Sequence, residues 1–160
     1  MSIKAGDRIP TAILKHKTSD GVIDISTEEL FSGRKVVIFA VPGAFTPTCS
    51  AKHLPGFVAK AAEIKAKGVD TIACVSVNDA FVMYAWGIDQ NAEDKVMMLA
   101  DGSSIFTKAI GQELDRTDAG MGMRSARYAM IVNDGVVIEM LAEEPGAFEV
   151  SSAEYVLSKL

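Results

Sequence analysis

Two cysteines, two histidines, one tryptophan and five prolines are all that this 160-residue chain holds of those types, and each shortage removes a class of protein. Cys49 and Cys74 form no CxxC pair, and His16 and His53 are the only imidazoles that could join them, so neither a disulfide framework nor a zinc site is expected. In a reducing cytosol both cysteines rest as thiols. Sixteen Lys and Arg stand against 21 Asp and Glu, the net charge is -5, and no segment gathers basic residues into the patch that a phosphate backbone requires. Nucleic acid is not an expected partner. The longest uncharged apolar run, 36–45, is interrupted by Pro42 and Gly43 and falls well short of the ~20 residues of a membrane span. The opening MSIKAGDRIP has polar residues where an export signal carries its apolar region. The expectation is a cytoplasmic protein without membrane association. No Ser/Gly/Pro-rich linker, like-charge block or long internal repeat divides the chain, so residues 1–160 read as one domain.

What is present is enough apolar material for one core: 49% of the residues are hydrophobic and 23% charged, far from the composition of disordered chains. KVVIFAV (35–41) is continuous rather than alternating, the pattern of a strand buried on both faces of a sheet. From Thr48 to Lys67 the positions Leu54, Phe57, Val58 and Ala61 recur at helical spacing. The helix bends or restarts at Pro55-Gly56 and ends at Gly68. DTIACVSV (70–77) is a second buried strand, and strand, helix, strand of this length makes a parallel right-handed crossover. Asn78 or Asp79 caps a helix to about Gln90, KVMMLA is a further strand, and SSIFTKAI is a helix with a Ser cap. RYAMIV and VVIEML flank Asn133-Asp134-Gly135, a hairpin signal, and residues from Ser151 form a closing helix. Parallel strands, then an antiparallel hairpin, then a terminal helix define an α/β thioredoxin-like fold, a central mixed sheet flanked by helices. Gly111 to Ser125 reads as a loop inserted in it.

VPGAFTPTCS (41–50) then falls where the first central strand meets its helix, beyond the carboxyl ends of the strands, where open α/β sheets bind ligands. Pro42-Gly43 turns the chain off the sheet, and Pro47 favours a helix from about Thr48 with Cys49 in its first turn. First-turn amides lack intrahelical partners and the dipole is positive there, so a thiolate is favoured over a thiol. A lone intracellular Cys is ordinarily a small core hydrophobe, but Thr48, Ser50 and Lys52 around Cys49 are not core neighbours. Thr46 either directs its hydroxyl at the sulfur or an incoming oxygen, or caps the helix, or does both. His53, four residues after Cys49 on the same helical face, either polarises the site or satisfies a buried hydrogen bond, the second being the commoner fate.

Pro42, Thr46 and Cys49 are spaced as PxxxTxxC, which resembles the active-site signature of the peroxiredoxins, and VPGAFTPTCSAKHLPGF is similar to their atypical, type II branch. The likeness continues through VSVNDAFVMYAWG, LADGS and GMRSARYAMIV to the C-terminus. It implies a thiol peroxidase that reduces hydrogen peroxide and organic hydroperoxides, an antioxidant enzyme without metal, haem or flavin, associating as a homodimer through the face near the active site. By the same likeness Cys49 is the peroxidatic cysteine, Thr46 hydrogen-bonds peroxide and thiolate, Pro42 shields the pocket, and Arg127 is the active-site arginine, with Arg124 the alternative. Cys74 is the only internal thiol for resolving a Cys49 sulfenic acid. At about 3.3 Å per residue it stands roughly 10 Å below the strand end near Cys49, beyond the ~7 Å that a disulfide spans, so the pair cannot join without unwinding. The simpler reading keeps Cys74 in the core and leaves reduction to glutathione with glutaredoxin, or to thioredoxin. A different class remains open: a redox-sensing or holdase module switched by Cys49, which would need a surface built from Met83, Met97, Met98, Met121, Met123, Met130 and Met140.

Overall fold

A hairpin of β1 (Ile13–Thr18) and β2 (Gly21–Ser26) comes first in the computed structural model, which describes residues 2–160. It leads into the short helix α1 (Thr27–Phe31), where Ser26 and Glu29 cap each other's backbone amides. Strand β3 (Lys35–Ala40) then enters the core. A π-helical turn, Cys49–His53, and helix α2 (Leu54–Ala66) carry the chain to β4 (Thr71–Ser76), and α3 (Ala80–Asp89) carries it to β5 (Met97–Ala100). Helix α4 (Ile105–Ala109) precedes a separate two-stranded ribbon, β6 (Glu113–Arg116) and β7 (Gly122–Ser125). The hairpin β8 (Tyr128–Asn133) and β9 (Val136–Ala142) and helix α5 (Ala153–Lys159) complete the fold.

The main sheet runs β2-β1-β5-β4-β3-β8-β9. Strands β5, β4 and β3 are parallel, and antiparallel hairpins flank them on both sides. This is the mixed-sheet, thioredoxin-like α/β architecture. Side-chain alternation along β3 explains why it sits at the centre: Val37 and Phe39 join a core with α2, α3 and α5, while Val36, Ile38 and Ala40 join a second core with α1 and α4. With both faces covered, every position after Lys35 is apolar and buried.

Three local expectations are corrected. The helix after β3 begins near Thr48 as expected, with the Ser50 amide on the Thr46 carbonyl at 2.9 Å, but it passes at once into a π turn in which the Leu54 amide bonds to the Cys49 carbonyl, five residues back, and α-helical pairing resumes at Leu54. Pro55 has no N–H to give the Ala51 carbonyl, so an α register could not have been completed there, and the wider turn absorbs the defect. Helix α4 has no Ser cap. Ser104 is left-handed (φ 56) without a capping bond, and the buried Asp101 carboxylate instead accepts from the Phe106 and Thr107 amides. The segment 111–125 is no loop but the β6/β7 ribbon, closed by a 3-10 turn at Thr117–Ala119. At the other ambiguous cap, Asp79 takes the Val82 amide, which frees Asn78 for the site. The 133–135 turn is as expected, with Asp134 and Gly135 both at positive φ.

Helix α3 can lie close to β5 because Gly87 faces Met98: a Cβ at 87 would stand 2.8 Å from Met98 Cγ. Ala is the better helix former by about 1 kcal/mol, yet forcing a methyl into this contact is expected to outweigh that gain. Gly87→Ala should therefore lose about 1 kcal/mol of stability, a fall of a few degrees in a thermal melt. A raised melting temperature would show that Met98 yields freely.

Candidate active site

The β3 strand delivers its chain end into a web of short-range bonds. Ser76 Oγ at the end of β4 lies 3.2 Å from the Val41 carbonyl and 2.6 Å from Asn78 Oδ1, and Asn78 Oδ1 accepts the Ala44 amide at 3.0 Å. The turn 42–46 is thereby fastened to the neighbouring strand. Gly43 is needed for packing, since a Cβ there would stand 3.1 Å from Thr46 Cγ2 and 3.2 Å from Arg124 Nη1. The Thr46 hydroxyl donates to the Gly43 carbonyl at 2.6 Å. Its single proton is thus committed, and what it offers an incoming molecule is a lone pair.

Cys49 opens the π turn and is fully buried. Arg127, in the residue pair before β8, donates from Nη2 to Cys49 Sγ at 3.2 Å and from Nη1 to His53 Nδ1 at 2.8 Å. On its other side the imidazole donates from Nε2 to the Ser151 carbonyl at 2.9 Å. That carbonyl can only accept, so the proton belongs on Nε2 and the Nδ1 lone pair faces the guanidinium. Burial, reinforced by the Arg127 charge, pushes the His53 pKa down to about 3, so the ring is neutral and acts as an acceptor for arginine rather than a competing cation. Phe39, Phe57 and Phe148 enclose it, with ring centroids 4.8, 5.7 and 5.0 Å away. The π turn is anchored on its other flank by Trp86 Nε1, which donates to Ser50 Oγ at 2.9 Å.

A cavity of about 390 Å³ opens over this group, lined by Pro42, Thr46 and Arg127 together with apolar Leu114, Met121 and Pro145. The fold thus brings Pro42, Thr46, Cys49 and Arg127 to one place. Arg124 lies beside them but spends its Nε on the Met121 carbonyl at 2.8 Å, holding the β6/β7 ribbon against Gly43. Cys74 is fully buried in β4, with Phe39 and Met98 as register partners, and shares the core of Cys49. Burial, with a smaller push from Cys49, raises its thiol well above the ordinary cysteine value. Both cysteines are free. The sequence signalled His53 through its spacing from Cys49. It carried no sign of Ser151, Glu143 or Phe148, which meet the site from about a hundred residues away.

The Redoxin family profile matches residues 4–157. The chain is 51% identical to chloroplastic Peroxiredoxin-2E of Arabidopsis thaliana over 163 residues, covering 99% of this chain and 70% of that protein. It is 43% identical to the hybrid peroxiredoxin hyPrx5 of Haemophilus influenzae, covering 100% of this chain and 67% of that one. Among solved structures, reduced Prx3 of Vibrio vulnificus in complex with hydrogen peroxide is 55% identical and superposes with a TM-score of 0.95 over 98% of both chains.

Neutral His53 makes stability depend on pH. Its folded pKa lies below its unfolded value of 6.5, so its contribution is complete above pH 6.5 and is lost as pH falls from there toward about 3. Half-buried His16 acts with the same sign. The slope, at most ~1.4 kcal/mol per pH unit for one proton, should therefore be shallower in His53→Gln than in the wild type when urea unfolding is compared between about pH 7 and 5. Identical slopes would mean that His53 takes up its proton in the folded state.

Proposed function

This chain belongs to the Redoxin family and, within it, to the peroxiredoxins, the thiol-dependent peroxidases, and from that premise we propose that Cys49 is its peroxidatic nucleophile, served by Thr46, Arg127 and Pro42. The observation that carries this reading is the Arg127 Nη2 to Cys49 Sγ hydrogen bond in a pocket where the adjacent imidazole is neutral. A guanidinium so placed faces the sulfur and oxygen on which negative charge spreads during attack.

In the reaction the Cys49 thiolate attacks the near oxygen of the peroxide. A sulfur–oxygen bond forms, the oxygen–oxygen bond breaks, and its electron pair leaves on the far oxygen, which takes a proton to become water or an alcohol. Cys49 is left as a sulfenic acid. Thr46, its own proton held by the Gly43 carbonyl, accepts the hydrogen of the incoming hydroperoxide and so aims its oxygen at sulfur. Pro42 walls the cavity. The apolar lining by Leu114, Met121 and Pro145 suits organic hydroperoxides as well as hydrogen peroxide.

For turnover we favour an external thiol. Glutathione attacks the sulfenic sulfur, releases water and leaves a mixed disulfide, which glutaredoxin or a second glutathione reduces; thioredoxin is the alternative donor. Dependence on such donors suits the cytoplasm. Phe45, Phe81 and Ile105 follow the ends of β3, β4 and β5 with their side chains exposed, Phe81 by 65%, and these apolar side chains beyond the carboxyl ends of the parallel strands support a homodimer. A client-binding module finds less support, because Met83, Met98 and Met130 are core residues.

Cys49→Ser, nearly isosteric but not ionised at neutral pH, should abolish peroxide consumption while leaving the fold intact; turnover above a trace would remove Cys49 from its role. Cys74→Ala should lower stability by about 1 kcal/mol and leave glutathione-dependent turnover near wild type. Mass analysis of peroxide-treated protein should find glutathione on Cys49. A quantitative Cys49–Cys74 disulfide, with turnover lost in Cys74→Ala, would make Cys74 the resolving thiol.

A further inference from the structure

Between β9 and α5 the chain folds back on itself, and one carboxylate oxygen closes the loop. Glu143 Oε2 accepts the Glu149 amide at 2.7 Å, the Ser151 amide at 2.9 Å and the Ser151 hydroxyl at 2.7 Å. The Glu143 amide in turn donates to the Arg127 carbonyl at 3.1 Å. Partial burial pushes the Glu143 carboxyl up, but the hydrogen bonds from Ser151, Glu149 and Val150 outweigh it and hold the group below the usual glutamate value, so it is ionised at neutral pH.

The closed loop makes two contacts with the Arg127–His53 pair. Ser151, completely buried, turns its carbonyl to His53 Nε2. Phe148 places its ring edge-on to the imidazole at 5.0 Å and 5.8 Å from the guanidinium carbon of Arg127. If the Ser151 carbonyl moved away, the Nε2 proton would lose its acceptor, and the Arg127 N–H alone would be left to select the tautomer of a ring no longer anchored on its far side. A proton on Nδ1 would then oppose the N–H of Arg127 Nη1. Phe148 would also cease to cover the guanidinium.

We propose that Glu143 is a positioning residue for peroxide attack: by closing the 143–151 loop it seats the Ser151 carbonyl and the Phe148 ring on His53, and so aims the Arg127 guanidinium at Cys49 Sγ. Glu143 makes no bond to the sulfur; it acts through Ser151, Phe148, His53 and Arg127, and the direct pull of its charge on His53 is the smallest of the influences on that ring. The proposal rests on the assignment of Cys49 and Arg127 above. An arginine side chain has several free torsions, and small errors in its placement are amplified in rate because the charge-assisted bond must point at the reacting atoms.

The test measures the rate of Cys49 oxidation by hydrogen peroxide in a single turnover, by rapid quench and mass analysis, in the reduced full chain. Glu143→Ala should slow it about tenfold, whereas Glu143→Gln, whose amide oxygen accepts the same donors, should stay within about threefold of wild type. In an Arg127→Lys background Glu143→Ala should add little further loss, because the guanidinium it positions is already gone. Nitrogen-15 NMR of reduced protein gives a readout independent of peroxide: His53 should be the Nε2–H tautomer in wild type and Glu143→Gln, and a mixture of tautomers in Glu143→Ala. Wild-type oxidation rates in Glu143→Ala, a penalty undiminished in the Arg127→Lys background, or an unaltered His53 tautomer would each overturn the proposal. A wild-type Cys49 inert to peroxide would instead sink the peroxidase assignment, and the tautomer would then decide the role of Glu143 by itself.

Discussion

The hydrogen bond from Arg127 to the buried Cys49 sulfur imposes its conditions on everything around it. A guanidinium carries five N–H donors and cannot shed its charge, so a site that takes it out of water must supply acceptors without supplying a rival cation. His53 meets both conditions as the neutral Nε2–H tautomer, whose Nδ1 faces Arg127 and whose Nε2 proton the Ser151 carbonyl accepts on the far side. The apolar enclosure by Phe39, Phe57 and Phe148 holds the ring neutral and also lowers the local dielectric in which the arginine acts on sulfur. One contact thus requires a chain of partners that runs from the π turn through the imidazole to the start of α5.

Bringing those partners together is the work of the sheet. Register between β3 and β8 pairs Ala40 with Tyr128, so Arg127 emerges beside the point where the chain leaves β3 for Pro42. The π turn then sets the depth and direction of Cys49. An uninterrupted α-helix would rotate His53 away from its present heading by a sizeable part of a turn, since π pairing spreads the same bonds over more residues. Pro55, by denying Ala51 its α-helical donor, favours the wider turn. The first helical segment is for the same reason the least cooperatively bonded part of the helix, and the part best able to open when a bulkier reductant must reach a buried sulfenic acid.

How much of this the sequence disclosed follows from where the determinants lie. β3 and β4 were legible because burial on both faces writes an unbroken apolar run, and the site was legible because proline, glycine and threonine between such a strand and a helix have few other uses. The β1/β2 hairpin escaped because β2 is an edge strand with half its side chains in solvent, and DIS or HKT carries little periodic signal. The β6/β7 ribbon escaped because a 3-10 turn at Thr117–Ala119, not an Asn-Gly pair, joins its strands. Pro42, Thr46 and Cys49 of the PxxxTxxC stretch lie together with Arg127. The support behind Arg127 was not readable. His53 and Ser151 are 98 positions apart, and no local pattern records that the acceptor for one will be the backbone of the other.

The two cysteines show how far environment rather than residue type decides reactivity. Both are completely buried in the same apolar core, and Cys74 is one strand away from the chain that leads to Cys49. Cys74 is locked between Phe39 and Met98 in the middle of a parallel ladder, with no hydrogen-bond donor to its sulfur among the described residues, and burial, with a smaller push from Cys49, drives it toward the neutral thiol. Cys49 has the same burial but meets a guanidinium and stands next to a cavity whose walls include Pro42 and Thr46. A negative sulfur is penalised at Cys74, whereas Cys49 has a charged donor at hydrogen-bond distance. The larger the penalty at Cys74, the smaller its thiolate fraction and the slower its attack on a sulfenic acid, unless the core around it first loosens. Reduction from outside needs only the π turn to yield, whereas reduction by Cys74 needs the π turn to yield and a central strand to expose its sulfur as well. The second route contains the first and adds to it, which is the physical reason for favouring an external thiol.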